Sequence, residues 1–253
     1  MRWKIFFLVT FLNPWIWRIF DRSLVVFALL VVSTFTLYLT FRCNDCRYKK
    51  YISIVVLLFL GTFQYRITYV KSLVNLSNDD IRVRDMRLKE YPPVKFTLVN
   101  KPVWIPLAHW FEGRPESISF FRILYNLSEA VDPNLYFFAN HPRERVGTQE
   151  FEKFPYLLFP FFALGYFLII EKSKQLLVTS FIIPVFFLSL IGHDSKIGPF
   201  LLFPFFAVAS TVGLERLDKS AGKLSKIKKR TVCILFLSLY LLVFVQILIY
   251  ASH

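Results

Sequence analysis

Cysteine is scarce: three residues in 253 exclude a disulfide framework. Cys43 and Cys46 share a short loop without the second pair a structural zinc site needs, and Cys233 lies inside an apolar run, so no metal is expected. Eight glycines leave no glycine-rich phosphate loop, and HExxH, GxSxG and a serine-centred triad are all missing. No cofactor is expected, and catalytic residues stay unknown. Acidic residues number 17 against 31 basic ones, a formal net charge of +14. That excess would suit a nucleic-acid surface were it spread over a soluble domain. Residues 71–154, however, carry 12 positive and 11 negative residues, so nearly all the surplus borders apolar segments and no nucleic-acid partner is expected. Within those segments charge is almost absent apart from Arg66, which argues against a transport pathway.

Apolar residues make up 55% of the chain and 30 residues are phenylalanine, far more than a soluble domain of this size needs to fill its core. Apolar runs recur at 23–41, 51–70, 155–170, 175–192, 199–214 and 231–250. A bilayer core of roughly 30 Å needs about 20 residues of helix. The fold class expected is therefore an all-α integral membrane protein of six or seven transmembrane helices with a small extracytoplasmic α(+β) cap. The seventh candidate, residues 5–20, is interrupted at Asn13-Pro14 and carries Trp15, Trp17 and Arg18, and it reads either as a short span or as an interfacial helix. No small-residue cleavage site precedes Asp21, which disfavours a signal peptide.

Positive residues resist translocation, so the short loops set the orientation. Loop 42–50 has four positive residues and one negative, loop 171–175 two and one, and loop 215–230 seven and two. All three are expected in the cytoplasm of a multi-pass cell-membrane protein, with 71–154 outside. Three regions follow: N-terminal hydrophobic segments at 1–70, the cap at 71–154, and a four-helix membrane region at 155–253. In the cap, Ser77, Asn78 and Asp79 open a helix that stops at Pro92-Pro93, Val94–Val99 alternates like a strand, and 116–133 forms an amphipathic helix. Its apolar positions Phe120, Phe121, Leu124, Leu127 and Val131 either pack on the cap or lie on lipid. Arg82, Arg84 and Arg87 read as a solvated helix face or as headgroup contacts.

The heptapeptide LLFPFFA occurs at 157–163 and again at 201–207, each copy opening a span that runs inward. The expectation is a pair of parallel helices kinked at Pro160 and Pro204 that frame an outer pocket. Both copies follow polar lead-ins, NHPRERVGTQEFEKFP and GHDSKIGP. If the helix ends are adjacent, Arg143, Arg145, His193 and Lys196 can hold a phosphate, while His141, Glu144 and Asp194 can act as acid or base. The alternative is that these residues only pair with one another at a charged membrane edge.

The aromatic DPNLYFFANHPRE stretch, the LLFPFFALG span and the later HDSKIGPFLLFPFF together resemble the C-terminal half of polytopic GT-C class glycosyltransferases, the protein mannosyltransferase and aminoarabinose-transferase type, over residues 117–214. The resemblance implies a polyprenyl-phosphate sugar as donor, contacted by Arg143, Arg145, His193 and Lys196 at the outer face, and membrane lipid around the chain. It also implies a carboxylate in a first outer loop. Here the turn before Ser23 offers only Asp21 beside Arg22, which leaves three expectations open: a subunit completing a split enzyme with a protein partner that supplies the missing N-terminal half, a degenerate relative that binds a lipid-linked glycan, or a product whose upstream half is absent here. The rival expectation is a non-enzymatic membrane scaffold whose cap binds a partner.

Overall fold

The computed structural model describes residues 2–42, 47–68, 78–90, 94–98, 101–105, 114–138, 153–192, 195, 197–221 and 226–252. The N-terminal segment is two helices, α1 (Arg2–Phe11) and α2 (Pro14–Arg22). Asn13 breaks them: its side-chain oxygen accepts the Trp15 N–H at 2.9 Å, and Pro14 takes the first helical turn, where no N–H is needed. At about 1.5 Å per residue neither can cross a bilayer alone, and the interruption read at Asn13-Pro14 is a break between two short helices.

Then come α3 (Leu24–Arg42), α4 (Arg47–Ile67) and α5 (Asn78–Glu90). An antiparallel hairpin follows, β1 (Val94–Leu98) with β2 (Lys101–Ile105), Val94 opposite Ile105. The expected strand thus has a partner that its own alternation did not announce. Next are α6 (Pro115–Val131) and α7 (Pro133–Phe137), the latter capped by Asp132, whose carboxylate accepts the Asn134 N–H at 2.9 Å. The remainder is α8 (Phe159–Lys172), α9 (Lys174–Ile191), α10 (Phe203–Ala221) and α11 (Lys226–Ser252). Among the described residues four helical stretches are long and apolar enough to cross a membrane: Leu24–Arg42, Lys174–Ile191, Phe200–Ser220 and Arg230–Ile247. A fifth, Tyr51–Ile67, is apolar but shorter.

α10 is the centre of the bundle. Its apolar stretch is 78% buried, against 39% or less for the other three, so the rest of the membrane region is arranged around it. The tightest partner is α8. A Cβ placed on Gly165 would lie 1.8 Å from the Ala209 carbonyl oxygen, and one on Gly213 would lie 1.9 Å from that of Phe161. The two backbones therefore touch, which is how helices gain contact in lipid, where no hydrophobic force drives them together.

This contact gives the repeat its meaning. Each copy extends back through Pro155 or Pro199, and each forms the same structure: one 3-10 turn (Tyr156–Leu158, Phe200–Leu202) and then an α-helix with proline as its second residue. Pro160 and Pro204 accordingly start helices rather than kink them. A proline in the first turn has no hydrogen bond to break, and the tighter turn before it takes up the change in path. Equivalent residues of the two copies meet, since Phe162 stacks on Phe206 with ring centroids 4.5 Å apart and planes 7° from parallel.

The helices alternate in direction. At one end Arg42 meets Glu215 at 2.6 Å, the Tyr38 hydroxyl donates to the same carboxylate, and the Lys172 ammonium lies 5.5 Å over Phe41. At the other end gather Trp15, Gln64, Lys153, Gly192 and Gly198. α6 lies along the Ile183–Ile191 half of α9, where the Asn126 amide donates to the Ser189 carbonyl at 3.1 Å. Its expected apolar face divides: Phe121 and Leu127 are half-buried, whereas Phe120, Leu124 and Val131 are exposed.

Candidate functional site

The Gly198 end holds a polar hub between apolar walls. The Gly198 N–H donates to the Ser195 carbonyl at 3.1 Å, and from Gly198 the chain turns into the 3-10 segment Phe200–Leu202. Gly198 sits at φ +72°, a conformation open to glycine and strained for other residues.

Three elements grip this turn. From α2, the Trp15 indole donates to the Ile197 carbonyl at 2.6 Å. From α4, the buried Gln64 accepts the Leu201 N–H at 3.2 Å, and its amide donates to Thr68 at 2.9 Å and to the Gly198 carbonyl at 3.4 Å. Residues entering a 3-10 turn have N–H groups without helical partners, and a buried one must be satisfied by something. Gln64 does that for Leu201. The third grip comes from the first lead-in. Lys153 is 4% exposed, and a Cβ on Gly198 would stand 2.6 Å from its Cε. Its ammonium donates to the Leu135 carbonyl at 2.7 Å and lies 6.0 Å from the Tyr136 ring centroid.

Lys153 is itself held, because the Lys153 and Phe154 N–H groups both reach the Tyr136 carbonyl, at 3.1 and 2.8 Å. Tyr136 is fully buried, stacks on Phe206 and donates its hydroxyl to the Ala130 carbonyl at 2.9 Å. Burial first, then the nearby Asp132 and Glu129 charges, pushes its phenol well above the ordinary tyrosine range, so it stays a neutral donor.

Both lead-ins therefore end at one place, through Lys153 and Gly198. The seven sequence-predicted site residues His141, Arg143, Glu144, Arg145, His193, Asp194 and Lys196 lie outside the described residues. Beside the hub, α4 and α9 enclose a groove of about 690 Å³, lined mostly by apolar side chains and reaching from Ile54 to Arg66 along α4. Among the described residues no group of three histidines, cysteines or acids stands ready to hold a metal.

Sequence reasoning passed over Gln64 and Lys153 and took Trp15 for an interfacial residue rather than part of the site. Gln64 is the signal most open to discovery: a lone amide in an apolar run, two positions from Arg66, is costly in lipid unless it has work to do. Replacing Gln64 with leucine is expected to destabilise the protein by about 2 kcal/mol, because it strands the Leu201 N–H and weakens the cap on Gly198. Thermal unfolding in detergent micelles checks this, and an unchanged midpoint would contradict the tie.

By length and composition these are the helices of a multi-pass membrane protein. No family model matches the chain, and no curated protein or solved structure matches it.

Proposed function

We propose that this chain is a six- or seven-span membrane protein that binds a lipid-linked phosphate, of the polyprenyl-phosphate sugar kind, at its extracytoplasmic face. Six spans are α3, α4, 156–172, α9, 200–220 and α11. α1 and α2 run along the bundle from the Arg42–Glu215 end, where Trp3 stacks on Phe35 and Phe6 on Tyr38, to the Gly198 end, where Trp15 bonds Ile197, and this broken pair is the candidate seventh. α5 to α7 with the hairpin form the cap. In this orientation the Arg42–Glu215 end is cytoplasmic, in keeping with the positive loops there.

The observation that carries the reading is the contact of Lys153 with Gly198. It joins the end of one polar lead-in to the end of the other, which supports a common site for Arg145 and Arg143, eight and ten residues before Lys153, and for Lys196 and His193, two and five residues before Gly198. Guanidinium and ammonium groups converging at a membrane edge are suited to phosphate. His141, Glu144 and Asp194 are the acid or base candidates in the same lead-ins. Beside the α2–α3 junction Asp21, in the last turn of α2, is the lone carboxylate, so we assign this chain the donor-binding role in a GT-C-like transfer. A partner subunit contributes the base.

The test is binding of a prenyl phosphate, with the corresponding prenol as control, to the full-length protein in nanodiscs. Alanine at Arg143, Arg145, His193 and Lys196 together is expected to weaken phosphate binding by about a hundredfold, roughly 1.4 kcal/mol for each tenfold, while prenol binding stays the same. Unchanged phosphate binding in a folded quadruple variant would leave the non-enzymatic scaffold as the better account.

A further inference from the structure

The α4–α9 groove is a feature that the phosphate-binding reading leaves unexplained. Its walls are Ile54, Leu57, Leu58 and Gly61 on α4 and Ile183, Pro184 and Phe187 on α9, with Leu201 closing one end. Polar groups are confined to Thr62 and Thr179 along its length and to Tyr65 and Arg66 at the Leu201 end.

Its shape arises from α9. Pro184 has no N–H to return to the turn before it, and α9 widens there into a π turn (Val178–Ile182), with the Ile183 N–H reaching the Val178 carbonyl. Such wide turns tend to mark functional places in helices. On the facing helix Gly61 presents no side chain, and a Cβ there would only graze Phe187 at 3.8 Å. The groove is thus built from a bulge on one side and a missing side chain on the other.

We infer that this groove receives the hydrocarbon tail of the same prenyl phosphate whose headgroup the lead-ins hold, with Arg66 meeting the phosphate at its mouth. The inference rests on the phosphate-binding reading above. Depth supports it: twelve residues of helix from Ile54 to Arg66 rise about 18 Å, close to the roughly 15 Å of one leaflet's hydrocarbon. Charge supports it as well, since Arg66 is exposed at the one end where an anionic headgroup would sit. So does continuity, because Leu201, which lines the groove, belongs to the turn that follows the second lead-in and is tied there to α4 by Gln64, on the opposite side of that helix from Arg66.

The experiment is photocrosslinking of the full-length protein in nanodiscs with a long-chain prenyl phosphate bearing a diazirine at its far end, mapped by mass spectrometry. Adducts on the α4 and α9 walls are expected. Ile183→Trp and Leu58→Trp, at positions 54% and 66% exposed, fill the groove without disturbing the core. Each is expected to abolish those adducts and weaken binding by about tenfold or more, as lost apolar contact requires. Adducts elsewhere, or two folded tryptophan variants that bind normally, would overturn the inference alone, provided the lead-in variants still lose phosphate binding. Prenyl phosphate that fails to bind the native protein would remove the underlying reading. Equal competition by dioleoyl phosphatidic acid would overturn the commitment to a prenyl tail.

Discussion

Alanine at Gly165 or at Gly213 is expected to destabilise the protein by roughly 3 kcal/mol in each case, the upper part of the range for overpacking. A methyl group at either site would have to occupy space 1.8 or 1.9 Å from a backbone carbonyl oxygen, and a backbone cannot rotate aside as a long side chain can. The helices must separate. Since α10 is the most buried helix, separating it from α8 also loosens the Phe162–Phe206 and Tyr136–Phe206 stacks that lead to the hub. Gly61→Ala is the internal control, because the added methyl meets only Phe187 at 3.8 Å. It is expected to be neutral or to stabilise by about 0.5 kcal/mol, the ordinary gain of alanine over glycine in a helix. Thermal unfolding of the three variants in one detergent reads the contrast, and similar losses at all three glycines would refute the close crossing.

Half of that crossing was legible in the chain. A pair of small residues four apart on one helix is a recognised signal for close approach. Ala209 and Gly213 form such a pair on α10 that went unread, whereas the facing Gly165 on α8 has Phe161 and Ile169 four positions away, so only the docked pair reveals it. What was legible was whatever local chemistry decides. The apolar runs announced the helices, Asn78 with Asp79 announced α5, and the identity of the two LLFPFFA copies announced paired helices. The prolines in those copies were legible as breaks in hydrogen bonding but not as starts, since a kink and a first turn look alike until the preceding turn is known. Segment 5–20 was similar: Asn13-Pro14 marked an interruption, and the Asn13 cap on Trp15 shows it to be a break between two short helices.

The candidate site divides along the same line. Both lead-ins were recognisable as polar segments opening two similar helices. Their meeting point depends on Lys153, one charge among many in the first lead-in until its burial is seen, and on Gly198, ordinary until its φ of +72° and its neighbour are known. Trp15 was readable as an interfacial tryptophan. In the fold it is fully buried and ties α2 to the second lead-in through Ile197, a contact spanning 182 residues that no local pattern encodes.

Gly198→Ala is the substitution that tests whether the lead-ins meet, and two separable effects are expected from it. Alanine at φ +72° costs about 1–2 kcal/mol wherever it stands. Its methyl would also crowd Lys153 Cε at 2.6 Å, and because Lys153 is buried and bonded to the Leu135 carbonyl, its side chain can yield only by giving up that bond. The second effect should vanish when Lys153 is itself alanine. A double-mutant cycle is therefore expected to return a coupling of about 1 kcal/mol, the size found for residues in direct contact. A parallel cycle on prenyl-phosphate affinity should couple too, since displacing Lys153 shifts the anchor of Arg143 and Arg145 relative to Lys196. Additivity in both cycles would mean that the lead-ins fold independently, and the phosphate site would lose the contact on which it is built. Coupling in stability without coupling in affinity would keep the hub as a structural joint and move the phosphate elsewhere.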